Sequence, residues 1–332
     1  MSIACRFVIA RSGILLALLI WIGCQAGGLE DARAQSWPER VVRIVSPFPA
    51  GGGSDLLARV VAQSLQESLG RPFVVENRVG AGGNIGMDHV AHSVPDGYTL
   101  ALANNTVTIN QSLGGQPFDA VRDLTAIVLV GSTPPMIGAS AGFALRSLPE
   151  LVAWARAHPG EVSYASCGTG TAHHFAAELL QSMARIRMTH VPYKGCSQAI
   201  PDVLNGSVPV VFSTVSNLAP HVKSGKIRGY ATTGTTRAQS APEFPTVAEL
   251  GYPGYAVDTW FGLMGPAGLP RDVVMRLNSE VNRALGRTEI RERLAAQYFE
   301  PLGGSSQRFG ELVQQELRTY GALVREAGIK AD

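Results

Sequence analysis

The chain has 332 residues, 16% of them charged, with 28 Lys and Arg against 26 Asp and Glu and a formal net charge of +2. That near-balance, with no basic stripe, excludes nucleic acid or an anionic membrane surface as the main partner. The 45% of hydrophobic residues excludes a disordered chain.

The first 34 residues read as a cleavable secretory signal. Arg6 and Arg11 precede a short apolar run from Ile14 to Ile22, and Ala32-Arg33-Ala34 is a small-x-small cleavage pattern, so Gln35 becomes the first mature residue. Export to the periplasm is the expectation. No later stretch offers about 18 uninterrupted apolar residues for a membrane span. Cys24, preceded by Trp21-Ile22-Gly23, is a poor match to a lipid-attachment pattern.

Strand-like runs then follow at Val41 to Ser46, Phe73 to Glu76, Thr99 to Ala103, Ala126 to Val130, Ser163 to Ser166, Thr189 to Val191, Val208 to Phe212 and Gly229 to Thr232. Helix-like runs alternate with them, which predicts an α/β chain with parallel or mixed sheets. Leu57, Val61, Leu65 and Leu69 recur every fourth residue in the clearest helix, which Gly70 ends. Thr133-Pro134-Pro135 reads as an exit from a first lobe, because consecutive prolines cannot continue a central strand. A return crossing is expected near Asp258-Thr259-Trp260. Beyond it, Pro270 to Leu285, Thr288 to Tyr298 and Ser306 to Glu326 read as amphipathic helices. The expected division is a first lobe of residues 35–134 and 259–332 and a second lobe of residues 135–258.

Three glycine-rich loops sit between strand-like and helix-like runs: Ala50-Gly51-Gly52-Gly53-Ser54-Asp55, Gly80-Ala81-Gly82-Gly83-Asn84-Ile85-Gly86, and Gly168-Thr169-Gly170-Thr171. Such loops aim backbone N–H groups and helix N-termini beyond the strand ends, where an anion can sit. None carries the lysine of a phosphate loop, so the expected guest is a carboxylate that is held and not transformed. Asn84 and Thr169 are neutral donors suited to it, and Asn104, Asn105 and Thr106 follow a strand end. Asp55 is expected to cap the helix at Leu56 and orient its loop, since a carboxylate would repel the guest. Phe48, between Pro47 and Pro49, is placed as a lid. Of His173 and His174, one is expected to face the cleft and the other the surface. Trp260 is equally suited to hinge packing and to the cleft wall.

Neither a metal nor a cofactor is expected, because the histidines lack H-E-x-x-H, clustered carboxylates or C-x-x-C. An enzyme is disfavoured by the absence of G-x-S-x-G, S-x-x-K and G-x-x-x-x-G-K-[ST], and Lys194 has no identifiable perturbing partner. Cys167 and Cys196 each follow a predicted strand with one helix between them. Neighbouring parallel strands would bring them to one edge, so they form either a disulfide or two free thiols.

Val45-Ser46-Pro47-Phe48-Pro49-Ala50-Gly51-Gly52-Gly53-Ser54-Asp55, Val75-Glu76-Asn77-Arg78-Val79-Gly80-Ala81-Gly82-Gly83-Asn84-Ile85-Gly86, Pro95-Asp96-Gly97-Tyr98-Thr99-Leu100, His190-Val191-Pro192-Tyr193-Lys194-Gly195 and Phe244-Pro245-Thr246-Val247-Ala248-Glu249-Leu250-Gly251, followed by Trp260-Phe261-Gly262-Leu263, resemble the successive signatures of the Bug-type extracytoplasmic receptors of tripartite tricarboxylate transporters. The resemblance implies a two-lobed type II periplasmic binding protein fold with hinge-linked domains, a small organic carboxylate as ligand and a membrane permease as partner. It implies that the loops Phe48 to Asp55 and Gly80 to Gly86 grip one carboxylate while Cys167 to Thr171 contribute from the opposite lobe. The cysteine pair departs from the family's general pattern.

The expected contacts are therefore Phe48, Ala50, Gly51, Gly52, Ser54, Ala81, Gly82, Gly83, Asn84, Asn104, Thr106, Gly168, Thr169, Gly170, Thr171, His173 and Asp258. A monomer is expected. A receptor feeding a sensor kinase is the alternative reading, and a secreted enzyme acting on a carboxylic acid a more remote one.

Overall fold

The computed structural model describes residues 37–327 and 329. The segment read as a secretory signal, with Cys24, lies outside the described residues. Two sheets organise the unit that begins at Arg40.

In the first sheet, β1 (Val42–Ser46) lies between β2 (Phe73–Asn77) and β3 (Thr99–Asn104), all parallel. Val42, Ile44 and Val45 of β1 are fully buried, as central parallel strands require. Next to β3 runs the antiparallel β10 (Trp260–Pro266), then β4 (Leu124–Ser132) and the short β11 (Glu300–Pro301). The second sheet has the order β7 (Thr189–Pro192), β6 (Ser163–Ser166), β8 (Val210–Thr214), β5 (Pro135–Ser140), β9 (Ile227–Thr232). Here β7, β6 and β8 are parallel, and β5 is antiparallel to both neighbours.

The helices are α1 (Gly53–Leu69), α2 (Asn84–Ala91), α3 (Thr106–Ser112), α4 (Leu148–Ala157), α5 (Ala172–Ala184), α6 (Cys196–Leu204), α7 (Val215–Lys223), α8 (Arg271–Leu285), α9 (Thr288–Ala295) and α10 (Ser306–Ala327). Gly70 closes α1 in the left-handed region, as its sequence position predicts. No helix among the described residues is long and apolar enough to cross a membrane.

Three strands depart from the sequence expectation: the two-residue β11, and the central β5 and β10. Pro134-Pro135 ends one strand, but the second proline also begins a central one, β5, because the first strand residue need not donate to the ladder. Trp260 opens β10, a fully buried strand, where only a crossing was expected. Its two glycines and terminal proline weaken the strand signal. They are needed there: at Gly262 a Cβ would run into the Phe309 ring.

The chain passes from the first sheet to the second through Thr133-Pro134 and returns between β9 and β10. The final helix spans both cores. Phe309 and Val313 near its start pack with Val45, Ala103 and Trp260, whereas Tyr320 near its end packs with Phe175, Phe212 and Val257. Trp260 is core packing rather than cavity wall: it is 4% exposed and meets Phe309 edge-on.

Candidate functional site

Parallel strands end together, so the loops after β1, β2 and β3 gather at one carboxyl edge and those after β6, β7 and β8 at another. Between them lies a narrow cavity of about 30 Å³. Phe48, Pro49, Gly52, Gly53, Ser54, Asn104, Thr106 and Phe261 line it from the first sheet's side. From the second side come Cys167, Thr171, His173, Cys196, Ser197, Thr214 and Asn217. None of these is Lys, Arg, Asp or Glu. A smaller hollow of about 10 Å³ shares Phe48 with that cavity and is walled by Gly82, Gly83 and Asn84 with Met87 and Val107.

The N-termini of α1 and α6 open into the larger cavity without a side-chain cap; that of α3 also reaches it, but its first N–H, at Thr106, is taken by Asn104 Oδ1. The N-cap of α1 is Gly52 and that of α6 is Gly195. The first N–H groups of these helices, at Gly53 and Ser54 and at Cys196 and Ser197, have no hydrogen-bond partner among the described residues. By contrast, α5 and α7 are capped by Thr171 and Thr214, which accept from His174 and Asn217 N–H. One uncapped positive end from each side thus faces the same space, which favours an anion without any fixed cation.

The glycine loops themselves do something other than donate. Gly51 N–H goes to Asp55 Oδ2, Gly52 N–H to the Pro49 carbonyl and Gly83 N–H to the Gly80 carbonyl. In the third loop, Gly168 N–H goes to Ser166 Oγ and Gly170 N–H to His174 Nδ1. Most of the N–H groups expected to be free are therefore already satisfied. What glycine supplies is close approach. A Cβ on Gly82 would stand 2.5 Å from the Thr169 carbonyl oxygen, one on Gly195 2.6 Å from Pro49 Cδ, and one on Gly170 would collide with Asn110 Oδ1.

Asp55 orients the loop but does not cap the helix at Leu56. The helix begins at Gly53, and the Asp55 carboxylate, 3% exposed, accepts from Gly51 N–H, the Arg59 guanidinium and Asn77 Nδ2, at 2.9–3.0 Å. Burial pushes its pKa up, but the bonds from Arg59, Gly51 and Asn77 outweigh it and hold the group below the usual carboxylate range. Asn77 Nδ2 also donates to the Phe48 carbonyl, tying β2 to the first loop.

Of the residues expected at the site, Phe48, Gly52, Ser54, Asn104, Thr106, Thr171 and His173 line the larger cavity and Gly82, Gly83 and Asn84 the smaller. Ala50, Gly51, Ala81, Gly168, Thr169, Gly170 and Asp258 line neither; Ala50, Gly51 and Ala81 are exposed. The Asn84 amide is committed inside the protein, donating to the Gly115 carbonyl and accepting from Asn110 Nδ2, both at 3.0 Å. Ser54 Oγ is likewise spent on the Leu102 carbonyl. Asn104 Oδ1 accepts Thr106 N–H, which leaves its Nδ2 unbonded among the described residues. Asp258 presents its backbone carbonyl to Asn105 Nδ2 at the crossing between sheets.

Both His173 and His174 are buried, contrary to the expectation that one would face the surface. Burial pushes His173 down to about 3, so its ring is neutral. Cys167 and Cys196 are disulfide-bonded in the cavity wall, which decides between the two states that the sequence left open. Ser197, Thr214 and Asn217 were not expected. Thr214 and Asn217 form an N-cap pair directly after a strand, Thr-x-x-Asn, which is the one sequence signal that pointed there. The Asn217 Nδ2 is buried and unpartnered.

Known proteins carry the same architecture. BugT of Bordetella pertussis is 35% identical over 319 residues, which is 95% of this chain and 98% of that one. The solved structure of R. palustris Rpa4515 with adipate superposes with a TM-score of 0.84 at 32% identity, covering 89% of this chain and 99% of the other. The periplasmic binding protein BugD gives 0.83 at 32% identity, over 89% of this chain and all of its own. The mixed α/β fold is that of the Bug periplasmic binding proteins. The model of the tripartite tricarboxylate transporter receptors matches residues 57–329, and the chain belongs to that family of solute receptors, TctC.

Proposed function

We propose that the protein captures one small organic carboxylate in the cavity between its two sheets and delivers it, in the periplasm, to the membrane subunits of a tripartite tricarboxylate-type permease. The observation that carries this reading is the pair of uncapped helix N-termini, α1 and α6, that face one cavity lined by no ionised side chain. Each helix end favours an anion by about 0.3–1 kcal/mol, and each charge-assisted bond adds about 1.5–3 kcal/mol. An affinity built from neutral donors suits a carrier that must release its cargo.

Phe48, Pro49 and Phe261 supply an apolar wall, while Ser197 and Asn217 supply neutral donors on the opposite side. That distribution favours a mono- or dicarboxylate with a short carbon body over the charge density of citrate, for which arginine is the usual partner. The adipate held by the Rpa4515 structure is such a molecule. Residues 35–134 with 259–332, and residues 135–258, act as two lobes that close around the ligand.

Binding is the whole of the chemistry. The Ser166–His190 hydrogen bond, 2.7 Å, has the look of an activated nucleophile, but Ser166 is fully buried, lies behind the third loop and also accepts Gly168 N–H. A thermal-shift screen of carboxylic acids tests the proposal, since a ligand raises stability by RT ln(1 + [L]/Kd). A shift with a mono- or dicarboxylate, confirmed by calorimetry at one site per chain, is expected. A screen in which no carboxylate stabilises the protein rejects it.

A further inference from the structure

The cavity wall holds a cluster of soft ligand atoms. Cys167 Sγ, Cys196 Sγ and a ring nitrogen of His173 all lie within 4.8 Å of one another. While the sulfurs are bonded to each other, neither is free to take a cation. We propose that reduction of this bridge turns the same three residues into a Cys2His site for a thiophilic divalent cation such as zinc, with its fourth coordination position open to the cavity.

The spacing supports this. Tetrahedral zinc with bonds of about 2.3 Å to sulfur and about 2.0 Å to nitrogen sets those two ligand atoms about 3.6 Å apart. Cys196 Sγ already stands 3.7 Å from Nε2 and 3.9 Å from Nδ1 of His173. The sulfur pair must open to about 3.8 Å, and Cys196, which is only partly buried, can change rotamer to provide it.

His173 is 5% exposed, and its ring meets no polar group but this sulfur among the described residues, so nothing competes for its lone pair. The three ligands stand on firm supports: Cys167 directly follows β6, His173 is in the first turn of α5, and Cys196 is the first residue of α6. That helix end also favours a thiolate at Cys196. No carboxylate lines the cavity, so two thiolates alone would balance the divalent charge. The sequence hides this arrangement because the ligands are spread over Cys167, His173 and Cys196, without the close pairs of a finger or ribbon.

The reductant is a dithiol. It becomes a disulfide as the Cys167–Cys196 bond breaks, giving two electrons and two protons to the cysteine sulfurs. Cation binding then releases these two protons to solvent and forms two metal–sulfur bonds.

The test uses the mature chain, oxidised or reduced with a phosphine that is removed under anaerobic conditions. With cobalt(II), the reduced chain is expected to develop a thiolate-to-metal absorption band that saturates at one ion per chain, while the oxidised chain develops none. X-ray absorption of the zinc-loaded reduced wild type is expected to show two sulfurs at about 2.3 Å and one imidazole nitrogen. His173→Gln is expected to weaken zinc binding at least tenfold. A reduced wild-type chain with no thiolate band, or a zinc shell of nitrogen and oxygen only, overturns the proposal, as does a folded His173→Gln that binds zinc as tightly as wild type. None of these readouts uses a carboxylate, so they stand or fall apart from the transport reading.

Discussion

Gly195 packs its backbone directly against the Pro49 ring, bringing the loop before α6 onto the loop before α1. Its φ of 166° is ordinary extended backbone, so alanine there is free of torsional strain and adds only the methyl group. That methyl would stand 2.6 Å from Pro49 Cδ. Gly195→Ala is expected to hold the two loops apart and weaken carboxylate binding at least tenfold, about 1.4 kcal/mol. The ligand-free melting temperature should stay within about 2 °C of wild type. Calorimetry and thermal denaturation check it, and unchanged affinity would show that the two loops do not need to meet.

Asn217 places an unpartnered buried Nδ2 in the cavity wall, which costs about 1–3 kcal/mol unless a ligand acceptor arrives. Asn217→Ala is expected to reduce affinity about tenfold while leaving the empty protein as stable as wild type or more so. Titration calorimetry paired with denaturant unfolding separates the two effects. A variant that binds normally would remove Asn217 from the set of ligand contacts.

Asp55 keeps the first loop in shape through bonds from three partners, so Asp55→Ala should cost about 2 kcal/mol of stability and loosen ligand binding as well. Its pKa is held below the ordinary carboxylate value. The stabilisation is therefore complete above about pH 4 and fades as pH falls through the lower folded value. Acid unfolding of wild type and Asp55→Asn should converge at the acid end; parallel curves would contradict the assignment.

Glu316 titrates in the opposite sense. Burial pushes its carboxyl up to about 7, only partly offset by bonds from Thr108 and Tyr320, with Asp258 adding repulsion. A raised acid is favourable when protonated, so stability is full below about pH 4.5 and declines as pH rises towards 7. Glu316→Gln should flatten that slope and stabilise the protein at pH 8 by about 2 kcal/mol. Urea midpoints at pH 5 and 8 provide the measurement.

The Cys167–Cys196 bond closes a segment of 29 residues. Replacing both cysteines with alanine should lower stability by about 3 kcal/mol. Thermal unfolding of oxidised, reduced and double-variant protein checks this, and a double variant as stable as the oxidised form would contradict it.

Much of the fold was legible because parallel strands and their helices leave strong periodic marks, as with Leu57, Val61 and Leu65 in α1. The losses were strands that begin or end in proline or contain glycine, β5, β10 and β11, where tertiary packing overrides local signal. At the site, the loops could be located but not the use of their donors. Gly51, Gly168 and Gly170 spend their N–H groups on Asp55, Ser166 and His174, partners two to four residues away whose side-chain direction depends on the exact turn geometry. Asn84 shows the same limit: a donor by chemistry, it is bound to Gly115 and Asn110. The cysteine pair was readable as a possibility, since both follow strands of one sheet.

The last helix, 22 residues long, runs about 33 Å and is seated in one core by Phe309 and Val313 and in the other by Tyr320. A stiff rod seated in both cores ties them together, so pulling the two sheets apart would strip one anchorage. A cut that removed its far end would therefore cost the second core Tyr320, even though no described residue of that rod lines the cavity.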